Sequence, residues 1–193
     1  MSDTTAPATR TVDGLEIPAP GTFVLDPSHS HVGFSVRHVM VSKVRGRFSS
    51  FTGTITVADD PTASSVEAEI EVASIDTRDS GRDDHLRSAD FFEAEAHPTA
   101  TFRSTRVVQA APGRFTVVGD LTIRGVTKPV ELDVEYEGTA QDPWGNQRIG
   151  VSATTEINRE DFGLTWNQNL ERGGVLVGKS IKVEIEAEGV RQA

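Results

Sequence analysis

The chain predicts an all-β fold, a single antiparallel β-barrel of about eight strands with one or two short helices. Two observations carry this: apolar and polar residues alternate with period two in segment after segment, and turn-forming residues separate those segments. The spacers also leave little room for the crossover helices that a parallel sheet needs.

The alternation is clearest in four places. Val66, Ala68, Ile70 and Val72 are interleaved with Glu67, Glu69 and Glu71. Phe115, Val117, Gly119, Leu121 and Ile123 share a second face, and Val130, Leu132, Val134 and Tyr136 alternate with Glu131, Asp133 and Glu135. Near the C-terminus Ile181, Val183, Ile185 and Ala187 do the same. Softer versions lie at 32–36, 51–57, 100–104 and 149–157. Every second side chain of a strand points to one face, so each segment offers one apolar side to a common interior. Asp59-Asp60-Pro61, Ala111-Pro112-Gly113, Arg124-Gly125, Asp142-Pro143-Trp144-Gly145 and Arg172-Gly173-Gly174 are the turns between them. A sheet this long splits into a sandwich or closes, and closure also removes exposed edges.

Two stretches break the rhythm. Ser80 with Asp83 fits a capping pattern, which predicts a short helix over 83–89. Val36, Val39, Met40 and Val44 recur at helical spacing, which predicts an amphipathic turn or two over 36–44.

At 193 residues the chain is long enough for one domain with a sizeable core. Residues 1–21, rich in Thr, Ala and Pro, read as a flexible N-terminal tail, and 22–190 as the barrel domain. The tail lacks the apolar run of a signal peptide, and no stretch approaches a transmembrane helix, so a cytoplasmic protein is expected. The absence of cysteine excludes thiolate catalysis and disulfides.

A net charge of −10 disfavours nucleic-acid binding. That charge is uneven. Between Asp26 and Asp59 there is no acidic residue, while Arg37, Lys43, Arg45 and Arg47 all fall there. This segment reads either as a solvated face or as a basic rim for transient contact, through 37–47, with a membrane surface or an anionic head group.

Signs of catalysis are few. His29 and His31 could converge as an i, i+2 pair, but two ligands make no metal site, and His38, His85 and His97 follow no metal spacing. His85 reads as a local partner of Asp83 or Asp84. There is no nucleophile elbow, no S-x-x-K, no phosphate loop and no dinucleotide fingerprint. No catalytic residue, metal or cofactor is therefore assigned. An eight-stranded barrel is just wide enough to be packed solid or to hold one small ligand. Phe34, Phe51, Phe102, Phe115 and Trp166 lie on or beside the apolar faces, as pocket lining or as ordinary core.

The motifs in order resemble the YceI-like family over Phe23 to about Glu188. They include Leu25-Asp26-Pro27-Ser28-His29-Ser30, Phe34-Ser35-Val36-Arg37-His38, Gly46-Arg47-Phe48 and Arg82-Asp83-Asp84-His85-Leu86. Pro98-Thr99-Ala100-Thr101-Phe102, Gly119-Asp120-Leu121-Thr122-Ile123-Arg124-Gly125 and Arg159-Glu160-Asp161-Phe162-Gly163-Leu164 continue the series. The resemblance implies an extended lipocalin-like barrel whose tunnel binds a polyisoprenoid, isoprenoid quinone or other long-chain amphiphilic lipid, with no catalytic role, and it implies a homodimer. Many members carry a secretion signal, which this sequence lacks, and Lys179 stands where members often carry an acidic residue. On this reading Phe34, Phe51, Ile55, Ile70, Phe92, Phe102, Phe115, Val117 and Trp166 line the tunnel. Arg37, His38 and Asn167 meet the head group, and Met40 belongs to a portal. A stress-response interaction protein with a packed barrel and an enzyme acting on a bound isoprenoid are the alternatives.

Overall fold

A computed structural model describes residues 8–193, so the first third of the expected tail lies outside the described residues. The remainder of that tail is ordered. β1 (Thr9–Val12) and β2 (Leu15–Pro18) pair as an antiparallel hairpin. Asp13 and Gly14 join them with φ of 50° and 79°, the two positive values a tight primed hairpin turn requires.

The barrel wall follows eight strand paths, three of them interrupted. β3 (Gly21–Leu25) and β4 (His31–His38) form the first, broken by a 3-10 turn at Pro27–His29. β5 (Ser42–Phe48) and β6 (Phe51–Val57) form the second. β7 (Ser65–Glu71) and the short β8 (Ile75–Asp76) form the third. β9 (Thr99–Ala111), β10 (Arg114–Ile123), β11 (Val126–Gln141), β12 (Gln147–Asn158) and β13 (Val177–Arg191) complete the circuit. Each path pairs antiparallel with the next, and β13 returns to pair with β12 on one edge and with β4 and β3 on the other. The expected barrel is therefore closed.

The register keeps the apolar set inside. Val117 lies opposite both Val107 and Leu132, and Phe34 opposite both Gly46 and Val183. In β9 a bulge near Thr105 shifts the parity, so Phe102 and Val107 both point inward despite their odd spacing. Alternation in that strand is legible only as far as Ser104 for this reason.

Two local expectations are corrected. The segment 36–44 is a β-hairpin rather than a helical turn, with Val36 opposite Val44 and Arg37 opposite Lys43. Val36 and Val44 share a face because they meet across the ribbon, while Val39 and Met40 sit at its tip with φ of 44° and 64°. The single α-helix among the described residues, α1 (Ser80–Arg87), starts earlier than expected. Its cap is Asp79, whose carboxylate accepts from the Arg82 N–H at 2.9 Å. Asp83 instead turns into the protein and accepts from the Thr77 N–H and hydroxyl at 2.9 and 2.5 Å, which ties the helix to β8.

Outside the wall, Arg148 of β12 binds three carboxylates. It donates to Asp142 at 2.9 Å, to Asp26 at 3.0 Å and to Glu188. Burial opposes ionisation of Asp142, but hydrogen bonds from Asn146, Arg148 and two backbone N–H groups outweigh it and bring its pKa to about 2. A carboxyl held below its unfolded value stabilises the fold above that value and loses this contribution as it protonates. Stability is thus expected to decline as pH falls from the ordinary 3.8 towards about 2. Urea midpoints measured across that range should fall for the parent, and Arg148→Met should show a shallower fall. Superimposable acid profiles would refute the assignment.

Candidate functional site: an apolar tunnel

The inward faces do not fill the barrel. They enclose a cavity of about 710 Å³, within the range of small-molecule sites. At one end it meets Ile17, Pro18 and Tyr136, and at the other Arg37, His38, Leu176 and Val177.

Its wall consists of three packed groups. Phe23, Ile55, Val57 and Ile149 lie beneath the β1–β2 hairpin. Phe102, Val107 and Val117 form the middle, with Phe115, Leu121 and Leu132 against them. Phe91, Phe162 and Leu164 gather Leu86, Phe92 and Trp166 near α1. Aromatic rings continue around this third level. Phe48 stands 5.7 Å from Phe34 and 6.0 Å from Phe92, and His85 meets Trp166 edge-on at 4.6 Å. Gly46 makes room for one of these rings: a Cβ there would fall 2.8 Å from Phe34 Cε1 and 2.9 Å from the Thr77 methyl.

The β1–β2 hairpin covers the first end. Ile17 and Pro18 are buried there. The hairpin is held by backbone carbonyls rather than by ladder bonds to the wall. Arg10 donates to the carbonyls of Ala58 and Asp59, Gln147 to that of Ala8, and Arg191 to those of Ala19 and Pro20. Beneath it the Tyr136 hydroxyl is buried with no hydrogen-bond partner among the described residues. Burial, with the nearby Glu16 charge, pushes its pKa up to about 12, so it is a neutral O–H at physiological pH.

The second end is organised by Arg159. It is 4% exposed and donates to four carbonyls, those of Leu164 at 2.5 Å, Trp166 and Gly178 at 2.9 Å, and Val177 at 3.4 Å. Burial lowers its pKa, against the opposing charge of Glu160. The guanidinium thus folds the 163–176 connection back over the barrel. Arg37 is exposed and yet lines the cavity, so the cavity reaches the surface at this end.

Of the residues expected at the site, Phe34, Arg37, His38, Phe51, Ile55, Ile70, Phe92, Phe102, Phe115, Val117 and Trp166 all lie on the cavity wall. Two do not. Met40 is 63% exposed at the β4–β5 tip. The Asn167 amide is consumed by the backbone, donating to Val177 O at 2.8 Å and accepting from Val177 N at 3.0 Å. His85 pairs with Asp90 at 2.8 Å, not with Asp83 or Asp84, since Thr77 holds the former and Arg87 the latter. His29 meets no histidine partner. It bonds Asp26 at 2.9 Å, and Asp26, His29 and Glu188 bring ligand-type atoms within 4.8 Å of one another. Arg148 already supplies the positive charge there. The β1–β2 cap, Tyr136 as an inward polar group and Arg159 went unread in the sequence, although Asp13-Gly14 is a hairpin signal.

The fold and cavity together define a closed antiparallel β-barrel built around an apolar internal site. The YceI-like domain description matches residues 23–189, and the chain belongs to that family. A UPF0312 protein of Vibrio cholerae is 38% identical over 88% of this chain and 87% of its own length. Among solved structures, BcnA of Burkholderia cenocepacia superposes with a TM-score of 0.75 at 22% identity, covering 85% of this chain and 98% of BcnA. A polyisoprenoid binding domain from Saccharophagus degradans, implicated in plant cell wall breakdown, gives 0.67 at 20% identity, covering 90% and 100%. Both share the fold.

A buried hydroxyl without a partner costs about 1–3 kcal/mol of desolvation. Tyr136→Phe is therefore expected to raise the stability of the protein by about 1 kcal/mol, read from urea unfolding. A loss of stability would show that the hydroxyl is satisfied.

Proposed function

We propose that this protein binds a polyisoprenoid, isoprenoid quinone or similar long-chain amphiphile inside the barrel and carries or sequesters it without transforming it. The observation that carries this reading is the continuous apolar cavity of about 710 Å³ running between the two ends. A barrel acting only as an interaction partner has no need of such a space. Several polar side chains that reach the wall are engaged within the protein: Arg159 with carbonyls, and Thr77 with Asp83 and Arg82. The Saccharophagus domain described as polyisoprenoid binding supports the reading at the level of fold.

Magnitudes agree. Each buried methylene contributes roughly 0.8 kcal/mol, so about ten of them approach the roughly 8 kcal/mol of micromolar binding. The tail then lies towards Ile17 and Tyr136, and the head group stays near Arg37 and His38, where the cavity meets the surface. Asn167 is withdrawn from the head-group role because both ends of its amide are already bonded.

Native mass spectrometry of the purified protein, followed by organic extraction, tests this directly. A stoichiometric adduct of isoprenoid-like mass is expected. A bare mass that persists after incubation with quinones and polyprenyl lipids would overturn the function and leave the fold intact. Phe102→Asp places a charge at mid-tunnel and is expected to abolish uptake. Val117→Phe fills the same level without a charge and should cut lipid content while the protein stays folded. Parent-like lipid content in folded Val117→Phe would remove the middle of the cavity from the site.

A further inference from the structure

We propose that the β4–β5 hairpin tip docks on an anionic lipid bilayer and sets the surface-reaching end of the barrel against it. The inference deepens the lipid-carrier reading and rests on it for its purpose, but the docking surface stands on separate observations.

The tip is apolar and solvent-exposed. Met40 is 63% and Val41 78% exposed. It sits beside the end of the cavity that reaches the surface. The Val39 N–H donates to the carbonyl of Leu176 at 2.9 Å, and Leu176 lines the cavity together with Arg37 and His38.

Behind the tip, the outer face of the ribbon is basic. The register places Arg37 directly opposite Lys43, and puts Arg45 and Arg47 on the same face, opposite Ser35 and Gly33. Lys182 of β13 adjoins them, opposite Ser35. Like charges paired across strands weaken a sheet, so an Arg37–Lys43 pair in a chain of net charge −10 is a local cost. Three acids share the region, one of them Glu156 of β12 opposite Lys182. Glu184 is bonded to Lys182 at 2.6 Å, and Asp76 to Arg47 at 3.3 Å. Arg37, Lys43 and Arg45 have no ion pair among the described residues. Another exposed apolar tip, Trp144, stands at the opposite end of the barrel beside the carboxylate of Asp142, without such a basic surround. An apolar tip ringed by basic side chains complements a bilayer whose phosphate groups are anionic, since the tip enters the interface while guanidinium and ammonium groups meet phosphate. Each basic side chain near such a surface raises partitioning by about fivefold.

The test uses the full chain and vesicles of phosphatidylcholine alone or mixed with phosphatidylglycerol. Sedimentation should show binding to the mixed vesicles, weaker binding to the neutral ones, and weakening by added salt. Met40→Glu should reduce binding to both. The double variant Lys43→Glu with Arg45→Glu should lower binding to the mixed vesicles by more than about tenfold and remove its salt dependence, with melting temperature unchanged. Equal binding to both vesicle types, or variants that bind like the parent, would overturn the proposal. So would no binding to either, the outcome expected if this face instead serves an acidic protein. Lipid cargo in native mass spectra without vesicle binding overturns docking alone. Vesicle binding by a protein that never takes up lipid overturns the carrier reading alone.

Discussion

The structure depends on β13 being hydrogen-bonded along both edges. One edge runs beside β12 from Asn158 to Arg148, and the other meets β4 and then β3. Once that strand is shared, every strand of the wall except the short β8 has two neighbours at fixed register, and a slip of one residue would turn an apolar row outward. Closure also sets the circumference. Eight paths surround more space than the inward side chains of this sequence occupy, and the ladder prevents the wall from collapsing onto them. The cavity follows from the geometry of closure together with the modest size of inward residues such as Ala68, Ala153 and Gly119.

The two ends of the tunnel are finished by different chemistry. At one, a short hairpin lies across the opening and is held by arginine and glutamine side chains reaching its carbonyls and those of the neighbouring turn. At the other, Arg159 gathers four carbonyls and folds the 163–176 connection inward. Side-chain donors to backbone carbonyls suit both places, because irregular chain at a barrel end has no ladder partner and its polar groups still need one. Acidic residues, by contrast, lie mostly on the outer face, where solvent screens them and alternation puts them.

Much of the wall could be read from the chain before any coordinates. Glu67, Glu69 and Glu71 between Val66, Ala68 and Ile70 admit one orientation, and the same holds for Ile181 to Ala187. Phe34, Phe51, Ile55, Ile70, Phe102, Phe115 and Val117 reached the wall for that reason, since parity along a strand is local information, whereas Phe92 and Trp166 reached it from irregular segments. Met40 and Asn167 lie off the cavity wall because their positions depend on what lies across from them. Met40 stands where the ribbon turns, and Asn167 lies where an irregular segment needs an amide to bond Val177. The β1–β2 hairpin went unread despite Asp13-Gly14, since strands of four residues show too little alternation and their burial comes from the barrel end they cover.

The sequence by itself therefore determined the all-β class, the antiparallel sense of the sheet, the inward and outward faces of each regular strand and the apolar character of the interior. These are consequences of side-chain period and turn chemistry, which act over a few residues. Only the tertiary structure decided that the wall is interrupted in three paths, that a bulge shifts parity within β9, that a hairpin covers one end, and that space remains in the middle. Those features arise from pairings between residues far apart in the chain. The volume inside a closed sheet is a property of the whole circuit and of no single strand.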